Sequence, residues 1–129
     1  MAKLNTVKPT DAELAVLQIL WNRGPSTVRD VHEILSSLRN TGYTTTLKIM
    51  QIMTEKGLVT RDQSQKTHVY KALADKDCTQ RQLVCNLLDR AFEGSAKTLI
   101  MQALSTQKTS AKELADIREF LDSIEEQIK

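Results

Sequence analysis

The segment YTTTLKIMQIMTEKGLV, residues 43–59, decides how the rest of the chain is arranged. It is predicted to form one helix, with Thr44 as its N-cap and Gly57 as the left-handed residue that ends it. Four residues recur at the i, i+3, i+4 and i+7 spacing of a buried stripe: Thr46, Ile49, Met50 and Met53. One face of this helix is therefore expected to pack on a core, which leaves the other face free for a partner.

The outward face of this helix is chemically mixed. Its residues are Thr44, Thr45, Leu47, Lys48, Gln51, Ile52 and Glu55. Threonine and glutamine can hydrogen-bond base edges, aliphatic groups can contact thymine methyls, and lysine can bind guanine or phosphate. The mixture predicts a recognition helix for the major groove of double-stranded DNA. The alternative is an ordinary amphipathic surface helix, so the flanking sequence has to distinguish the two.

Two shorter helices are predicted before this segment. The first opens with Thr10 and Glu13 at the spacing of a capping box, and the second is capped by Ser26 or Thr27. Their apolar faces are Leu14, Val16, Leu17, Leu20 and Trp21 in the first helix and Val28, Val31, Ile34, Leu35 and Leu38 in the second. His32 lies off the second apolar face and is predicted to be exposed. Three short helices joined by tight turns outline a helix-turn-helix.

A β-hairpin is predicted directly after the third helix. Residues 58–62 and 67–71 are β-prone, and residues 63–66 between them are polar turn formers. A hairpin in this position is the wing of a winged helix-turn-helix. It offers Arg61, Gln65, Lys66 and His68 to phosphate or to the minor groove. An ordinary surface hairpin would also carry two or three basic residues, so the order of the elements is the more specific feature.

Residues 74–129 follow a purely helical pattern. Three amphipathic helices are predicted, with caps at Asp75 or Asp77, at Ser95 and at Ser110. In the last helix the apolar residues alternate at spacings of three and four, as in the seam of a coiled coil. The residues expected to form a homodimer interface are Leu99, Ile100, Leu104, Leu114, Ile117, Phe120, Leu121, Ile124 and Ile128. The alternative is that these helices pack back onto the head.

Length and charge support a division into two parts. A chain of 129 residues can form one compact domain or two small ones, and an aromatic content of 4% favours helical packing over a sandwich. Residues 1–73 hold ten Lys or Arg against six Asp or Glu, a net charge of +4, whereas residues 74–129 hold eight against ten, a net charge of −2. We therefore expect a mainly α fold with a winged-helix DNA-binding domain at 1–73 and a helical dimerisation domain at 74–129.

Several classes of function are disfavoured by the sequence. No apolar run approaches a membrane span, and the first residues, MAKLNTVKPTDAE, lack the apolar segment of a signal peptide, so a cytoplasmic protein without membrane insertion is expected. Cys78 and Cys85 stand seven apart without a CxxC motif and are predicted to be buried or half-buried hydrophobes. There is no Gly-rich phosphate loop, and His32 and His68 belong to different elements. We expect no enzyme activity, no metal site and no cofactor.

In this order, the segments resemble the penicillinase-repressor family of bacterial transcription regulators, whose members include BlaI, MecI and CopY. The resemblance covers nearly the whole length. It rests on TDAELAVLQILWNRGPSTVRDVHEIL in the first two helices, YTTTLKIMQIMTEKGLV in the third and HVYKAL at the end of the wing. A weaker likeness continues in FEGSAKTLIMQALS and SAKELADIREFL. It implies homodimers that bind inverted-repeat operators and repress transcription, including that of β-lactamase or resistance genes.

The resemblance also implies roles for individual residues. The family's base-contacting positions are occupied here by Thr44, Thr45, Leu47, Lys48 and Ile52. Leu47 and Ile52 stand where relatives have Arg, and neither can form the bidentate contact with guanine. In the β-lactam branch a membrane-bound sensor protease cuts an Asn-Phe bond in the tail, and the nearest match here is Gln102 followed by Ala103. The cysteine-rich tail of the copper branch has no counterpart in this sequence, so copper sensing is not expected.

A protein-binding winged helix is the main alternative from another class of function, because the same fold also serves protein contacts. The Thr-rich outer face with Lys48, together with the basic wing, favours DNA. Salt-sensitive binding to duplex DNA distinguishes the two functions.

Overall fold

The computed structural model describes residues 8–128, in which it places six α-helices and one two-stranded hairpin. The helices are α1 (Asp11–Arg23), α2 (Val28–Leu38), α3 (Tyr43–Lys56), α4 (Lys76–Ala91), α5 (Ala96–Thr106) and α6 (Ala111–Ile128), and the strands are β1 (Val59–Asp62) and β2 (Val69–Ala72). This order confirms the predicted mainly α fold with a winged helix-turn-helix head. Residues 1–7 of the predicted head and residue 129 of the predicted tail lie outside the described residues.

Short polar sequences fix where the helices begin. At α1, the hydroxyl of Thr10 accepts the N–H of Glu13 (3.2 Å), and the Glu13 carboxylate accepts the N–H of Thr10 (3.0 Å), which is the predicted capping box. Thr27 and Asp30 form the same pair of bonds at α2, both at 3.1 Å. The predicted box at residues 110–113 also forms. These starts depend on neighbours three residues apart, so local sequence suffices to predict them.

The prediction that Thr44 caps α3 is wrong. The helix begins at Tyr43, and the residue with extended backbone before it is Gly42, whose carbonyl accepts the N–H of Thr46 at 3.0 Å. Thr44 therefore lies inside the first turn. The predicted end of the helix is confirmed, because Gly57 has a φ of 82° and its N–H reaches carbonyls of the last turn.

The core of the head lies among α1, α2, α3 and the hairpin. Its buried hydrophobic residues are Val16, Leu17, Ile19, Leu20, Val28, Val31, Leu35, Met50, Met53, Leu58, Val59 and Tyr70. Of the predicted stripe on α3, Thr46, Met50 and Met53 are fully buried and Ile49 is half-buried. Leu38 departs from the predicted apolar face of α2 because it is the last residue of that helix, beyond the buried stripe, and it is 69% exposed.

His32 is half-buried where α2 meets α3. Its Nδ1 lies 3.3 Å from the hydroxyl of Thr46, and its ring meets the ring of Tyr43 edge to face, with centroids 5.5 Å apart. The prediction of an exposed His32 is therefore wrong. The periodicity of α2 alone could not indicate this burial, since it arises from the packing of α3 across α2.

The hairpin is joined to the helices through the turn between α1 and α2. Strands β1 and β2 pair antiparallel, with Val59 opposite Ala72. Ser26 pairs with Tyr70, and each backbone N–H donates to the carbonyl of the other, at 2.9 and 2.7 Å. Tyr70 is 1% exposed and has the largest fully buried side chain of the described residues. The wing is thus fixed to the head. Because Ser26 is paired with the wing, Thr27 is the N-cap of α2.

An ion pair between a buried carboxylate and a more exposed ammonium joins α1 to α3. Glu13 is 4% exposed, and its carboxylate accepts hydrogen bonds from Lys56 Nζ at 2.8 and 3.0 Å in addition to the N–H of Thr10. Lys56 is the last residue of α3, where a positive charge also interacts favourably with the helix dipole. One carboxylate therefore holds the start of α1 and the end of α3.

Contacts group the chain into two compact units that divide within α4, between Val84 and Cys85. In the first unit, Trp21 Nε1 donates to the carbonyl of Ala74 at 3.0 Å, and Thr79 is buried, so the start of α4 belongs with the head. In the second unit, neither α5 nor α6 has a buried residue within residues 85–128. The predicted functional boundary between residues 73 and 74 stays a prediction.

Cys78 and Cys85 are both exposed on α4, so the prediction that they are buried or half-buried is wrong. The reason is that, of the described residues of α4, only Thr79 is buried. A hydrogen bond with Asp75, together with the nearby negative charges of Asp75 and Asp77, raises the pKa of the Cys78 thiol above its usual value. A raised pKa lowers the thiolate fraction and with it the reactivity of the sulfur.

Replacing Lys56 with Met is expected to destabilise the head by about 1–3 kcal/mol, because the Glu13 carboxylate would stay buried without its cation. Trp21 is the only tryptophan in the chain and belongs to the head, so its fluorescence during urea unfolding reports the change. Arg23→Met is the control, because the Arg23–Asp30 pair also lies in the head but is more exposed, so its loss should cost less. Equal shifts for both variants would contradict the structural role of the Lys56–Glu13 pair.

Candidate nucleic-acid interface

Helix α3 presents two neighbouring outward stripes with a four-residue spacing. One stripe is Thr44, Lys48 and Ile52, and the other is Tyr43, Leu47 and Gln51. The first stripe is exposed, as are Thr45 and Gln51. Leu47 is half-buried because it packs against the core of the head, so only part of its side chain faces outward. The head therefore offers a row of hydroxyl, ammonium, amide and aliphatic groups to a partner.

A groove of about 470 Å³ lies between α3, the start of α2 and the wing, and we call it the wing groove. It is lined by Tyr43, Leu47 and Gln51 from α3, by Arg61, Lys66 and His68 from the wing, and by Thr27 and Arg29 from the start of α2. The structure thus brings together five of the predicted DNA-binding residues, Leu47, Gln51, Arg61, Lys66 and His68. The other four, Thr44, Thr45, Lys48 and Ile52, lie on α3 outside this lining.

The wing groove is basic. Arg29, Arg61 and Lys66 carry positive charges at neutral pH, and His68 adds a further nitrogen donor. Neither Asp nor Glu occurs among its lining residues in the part of the chain that the structure describes. Cationic and hydrogen-bonding side chains around an open groove suit a polyanion whose phosphate oxygens accept hydrogen bonds.

Local contacts order the tip of the wing. With its amide oxygen turned toward Arg61, Gln63 accepts hydrogen bonds from Arg61 Nε (3.0 Å) and Nη2 (2.7 Å). The Asp62 carboxylate accepts the N–H of Ser64 at 2.9 Å. This bond lowers the pKa of the Asp62 carboxyl, and the Ser64 hydroxyl and the positive charge of Lys71 act in the same direction. The guanidinium of Arg61 is therefore held by Gln63, in the turn that follows β1.

Sequence reasoning missed six of the residues that line the wing groove, of which Arg29 and Tyr43 can contact DNA most directly; the others are Thr27, Val28, Thr67 and Tyr70. Arg29 is exposed in the first turn of α2, where the helix dipole disfavours a cation. A basic residue in that position indicates an anionic partner and could have been noticed. Tyr43 was assigned to the segment but not to its outward face, because the helix was expected to begin after it.

A second groove of about 490 Å³ runs along α1 and α2, and its lining differs from that of the wing groove. Most of the lining is aliphatic, including Leu14, Ile19, Ile34 and the exposed Leu38. Arg23 is its one basic residue within residues 8–128, and Asp11 brings an opposite charge. It is therefore a poor match for a phosphate backbone, despite its similar size.

The predicted dimerisation residues belong to α5 and α6. Leu99, Leu114 and Ile117 are half-buried within one chain. The exposed members are Ile100, Leu104, Phe120, Leu121, Ile124 and Ile128. Gln102 and Ala103, the nearest match to the cleavage site of the β-lactam branch, are exposed in the middle of α5. We call the apolar residues of α5 and α6 the tail seam.

Metal-binding clusters and membrane-spanning helices are both absent from residues 8–128. No group of three or more His, Cys, Asp or Glu side chains is placed to hold a metal ion there. No helix among these residues is long and apolar enough to cross a membrane.

Comparison with known proteins places the chain in a family. A family model described as Penicillinase repressor matches residues 9–123. The transcriptional regulator BlaI of Mycobacterium tuberculosis is 32% identical over 127 residues, which cover 97% of this chain and 89% of that protein. The methicillin resistance regulatory protein MecI of Mammaliicoccus sciuri is 19% identical over 117 residues, which cover 91% of this chain and 95% of that protein.

Solved structures agree with the fold of the head. The solution structure of the DNA-binding domain of the repressor BlaI has a TM-score of 0.50 at 22% identity and covers 60% of this chain and 93% of that one. Bacillus licheniformis BlaI, solved as a monomeric form in complex with the blaP half-operator, has a TM-score of 0.50 at 21% identity and covers 56% and 88%. At these identities the likeness shows the fold alone. The family match and the relative at 32% identity span nearly the whole sequence, and the chain therefore belongs to the penicillinase repressor family of transcriptional regulators.

Proposed function

We propose that this chain is a sequence-specific DNA-binding transcriptional repressor that acts as a homodimer on an inverted-repeat operator. The observation that carries the proposal is the face on which the exposed stripe of α3 adjoins the basic wing groove. The relative solved with the blaP half-operator, which shares the fold of the head, supports duplex DNA as the partner.

The arrangement of the head suits the two tasks of DNA recognition. Thr44, Lys48 and Ile52 lie on the exposed stripe of a helix that can enter the major groove, where they would meet base edges and thymine methyls. Arg29, in the wing groove, would meet phosphates and set the register of the helix on the duplex. The first group would supply sequence preference, and the second would supply most of the salt-sensitive affinity.

The tail seam supports a homodimer. Phe120 and Leu121 on α6 are 64% and 47% exposed, and Ile100 and Met101 extend the exposed apolar surface on α5. Apolar residues at this density on a monomer mark an association surface. A second copy of the chain would cover them with the same residues, and two-fold symmetry of the protein would then require an inverted repeat in the DNA. A repressor that binds chromosomal operators acts in the cytoplasm, which is the location proposed for this protein.

Release from DNA is proposed to follow cleavage within residues 94–105, by a membrane-bound sensor protease of the kind that serves the β-lactam branch. Gln102 and Ala103 are exposed, which supports access, although α5 has to unwind locally before a protease can take the segment as an extended strand. Cutting there would separate the head from α6 and from most of the tail seam. Each head would then bind a half-site alone and lose the gain in effective concentration that linkage provides. Control of resistance-type genes is part of the same proposal.

Lys48→Ala is expected to weaken binding to the operator by about 1–3 kcal/mol if the ammonium contacts a base, and to reduce the salt slope by about one if it contacts only phosphate. Fluorescence anisotropy with operator and unrelated duplexes over a series of salt concentrations separates the two cases. Lys112→Ala, on the exposed face of α6, is the matched control and should bind like the parent. Equal binding of the Lys48 variant to every duplex would exclude Lys48 from the interface, and salt-insensitive or absent binding by the parent would favour a protein-binding winged helix.

Leu121→Asp is expected to convert the dimer into a monomer, because a carboxylate inside the tail seam would be buried without a partner. Light scattering should give a mass near 14.6 kDa for the variant and twice that for the parent. Ser123→Asp adds the same charge two residues away, off the seam, and should leave the parent mass unchanged. A monomeric parent would contradict the homodimer, and a dimeric Leu121 variant would remove this residue from the interface.

A protein carrying both Cys78→Ser and Cys85→Ser is expected to repress and to respond to its inducer as the parent does. The two residues are seven apart on α4, or about 10 Å along the axis at 1.5 Å per residue, which is too far for one disulfide or one shared ion within an intact helix. A reporter gene measures repression and induction, and an immunoblot of the tail measures cleavage. Loss of induction in the double variant would point to thiol chemistry, and an uncut tail in the induced parent would contradict the proteolytic route.

A further inference from the structure

Tyr43 occupies an unusual place at the start of the recognition helix. It is the first residue of α3, it is 45% exposed, and it lines the wing groove together with Leu47 and Gln51. Arg29 lines the same groove from the first turn of α2. Tyr43 and Arg29 thus line one groove on the helix pair whose first member crosses the DNA backbone in helix-turn-helix complexes.

His32 fixes the ring of Tyr43 from the side. The ring centroids are 5.5 Å apart and the ring planes meet at 78°, which is the favourable edge-to-face geometry of an aromatic pair. The Nδ1 of His32 lies 3.3 Å from the hydroxyl of Thr46, and that hydroxyl also lies 3.2 Å from the carbonyl of Gly42. The imidazole is therefore tied to Thr46 and Tyr43 together.

These contacts matter because of how α3 begins. Gly42 precedes the helix and has no side chain with which to cap it. The contacts of His32 with Tyr43 and Thr46 bracket Thr44 and Thr45, two of the predicted base-contacting residues. An imidazole from α2 thus braces the turn of α3 that lacks a side-chain cap, and it orders the Tyr43 ring before any partner binds.

We infer that Tyr43 is a further DNA-contacting residue, whose hydroxyl donates a hydrogen bond to a backbone phosphate oxygen, and that His32 is its positioning residue. The inference rests on the proposed function and extends it. Tyrosine hydroxyls are among the neutral groups that bind phosphate oxygens in protein–DNA complexes. Phosphate suits this position better than a base edge, because Tyr43 lines one groove with Arg29 and the wing, whereas the neighbouring stripe of Thr44, Lys48 and Ile52 lies outside that lining.

Tyr43→Phe tests the contact, because it removes the hydroxyl and keeps the ring against His32. The variant should bind operator and unrelated duplexes about two- to tenfold more weakly, with an unchanged ratio between them and an unchanged salt slope, since no charge is removed. Affinity equal to the parent would overturn the contact. A loss confined to the operator would overturn its assignment to phosphate. If the parent binds no duplex, the proposed function itself fails. If the parent binds and Tyr43→Phe binds equally well, only the role of Tyr43 fails.

Two substitutions of His32 test the positioning role. His32→Phe keeps an aromatic edge against Tyr43 and loses the bond to Thr46, whereas His32→Asn keeps a donor near the position of Nδ1 and loses the ring. We expect His32→Phe to bind within about twofold of the parent and His32→Asn to weaken binding about as much as Tyr43→Phe does. Combined with Tyr43→Phe, His32→Asn should add little further loss, because its effect acts through the phenol.

The fluorescence of Trp21 during urea unfolding shows whether each variant retains a folded head. If losses from His32→Asn and Tyr43→Phe simply add in the double variant, with folding intact, His32 does not act through Tyr43 and the positioning role is wrong. Weakened binding by His32→Phe equal to that of His32→Asn would likewise show that the ring edge is not what matters.

Discussion

The geometry of the interface depends on the pair of backbone hydrogen bonds between Ser26 and Tyr70. A two-stranded hairpin alone is marginally stable in water, but here its second strand is paired with the turn before α2, and the Tyr70 side chain is buried in the core. The wing is therefore fixed relative to the start of α2, and the core places α3 against both. The fixed arrangement of α2, α3 and the wing holds Arg29 and Arg61 around one groove.

Polar contacts that are buried or half-buried keep the recognition helix in place at both of its ends. At the C-terminal end, Lys56 reaches the buried carboxylate of Glu13, and at the N-terminal end His32 reaches Thr46. Residues of the exposed stripe can therefore be substituted without loss of the fold, because the core contacts lie on the other face of the helix. The proposed dimer interface uses different residues, those of the exposed tail seam in α5 and α6.

Much of the fold was predictable because it depends on local sequence. Capping boxes join residues three positions apart, Gly57 needs only its own backbone freedom, and the order of three helices and a hairpin follows from periodicity and turn residues. The errors arose where other elements decide. The start of α3 at Tyr43 and the burial of His32 depend on how α2 and α3 pack. The exposure of Cys78 depends on how little of α4 is buried, and the wing groove depends on a pairing between residues 26 and 70 that no periodicity predicts.

Selection of bound duplexes from a pool of random sequence by this protein tests DNA recognition most directly. We expect the selected duplexes to share an inverted repeat, with half-sites whose centres lie about one helical turn of DNA, or a multiple of it, apart. Each half-site would carry the bases read by one copy of α3. A pool that shows no enrichment after several rounds, or that converges on single half-sites without symmetry, would contradict a dimeric, sequence-specific repressor.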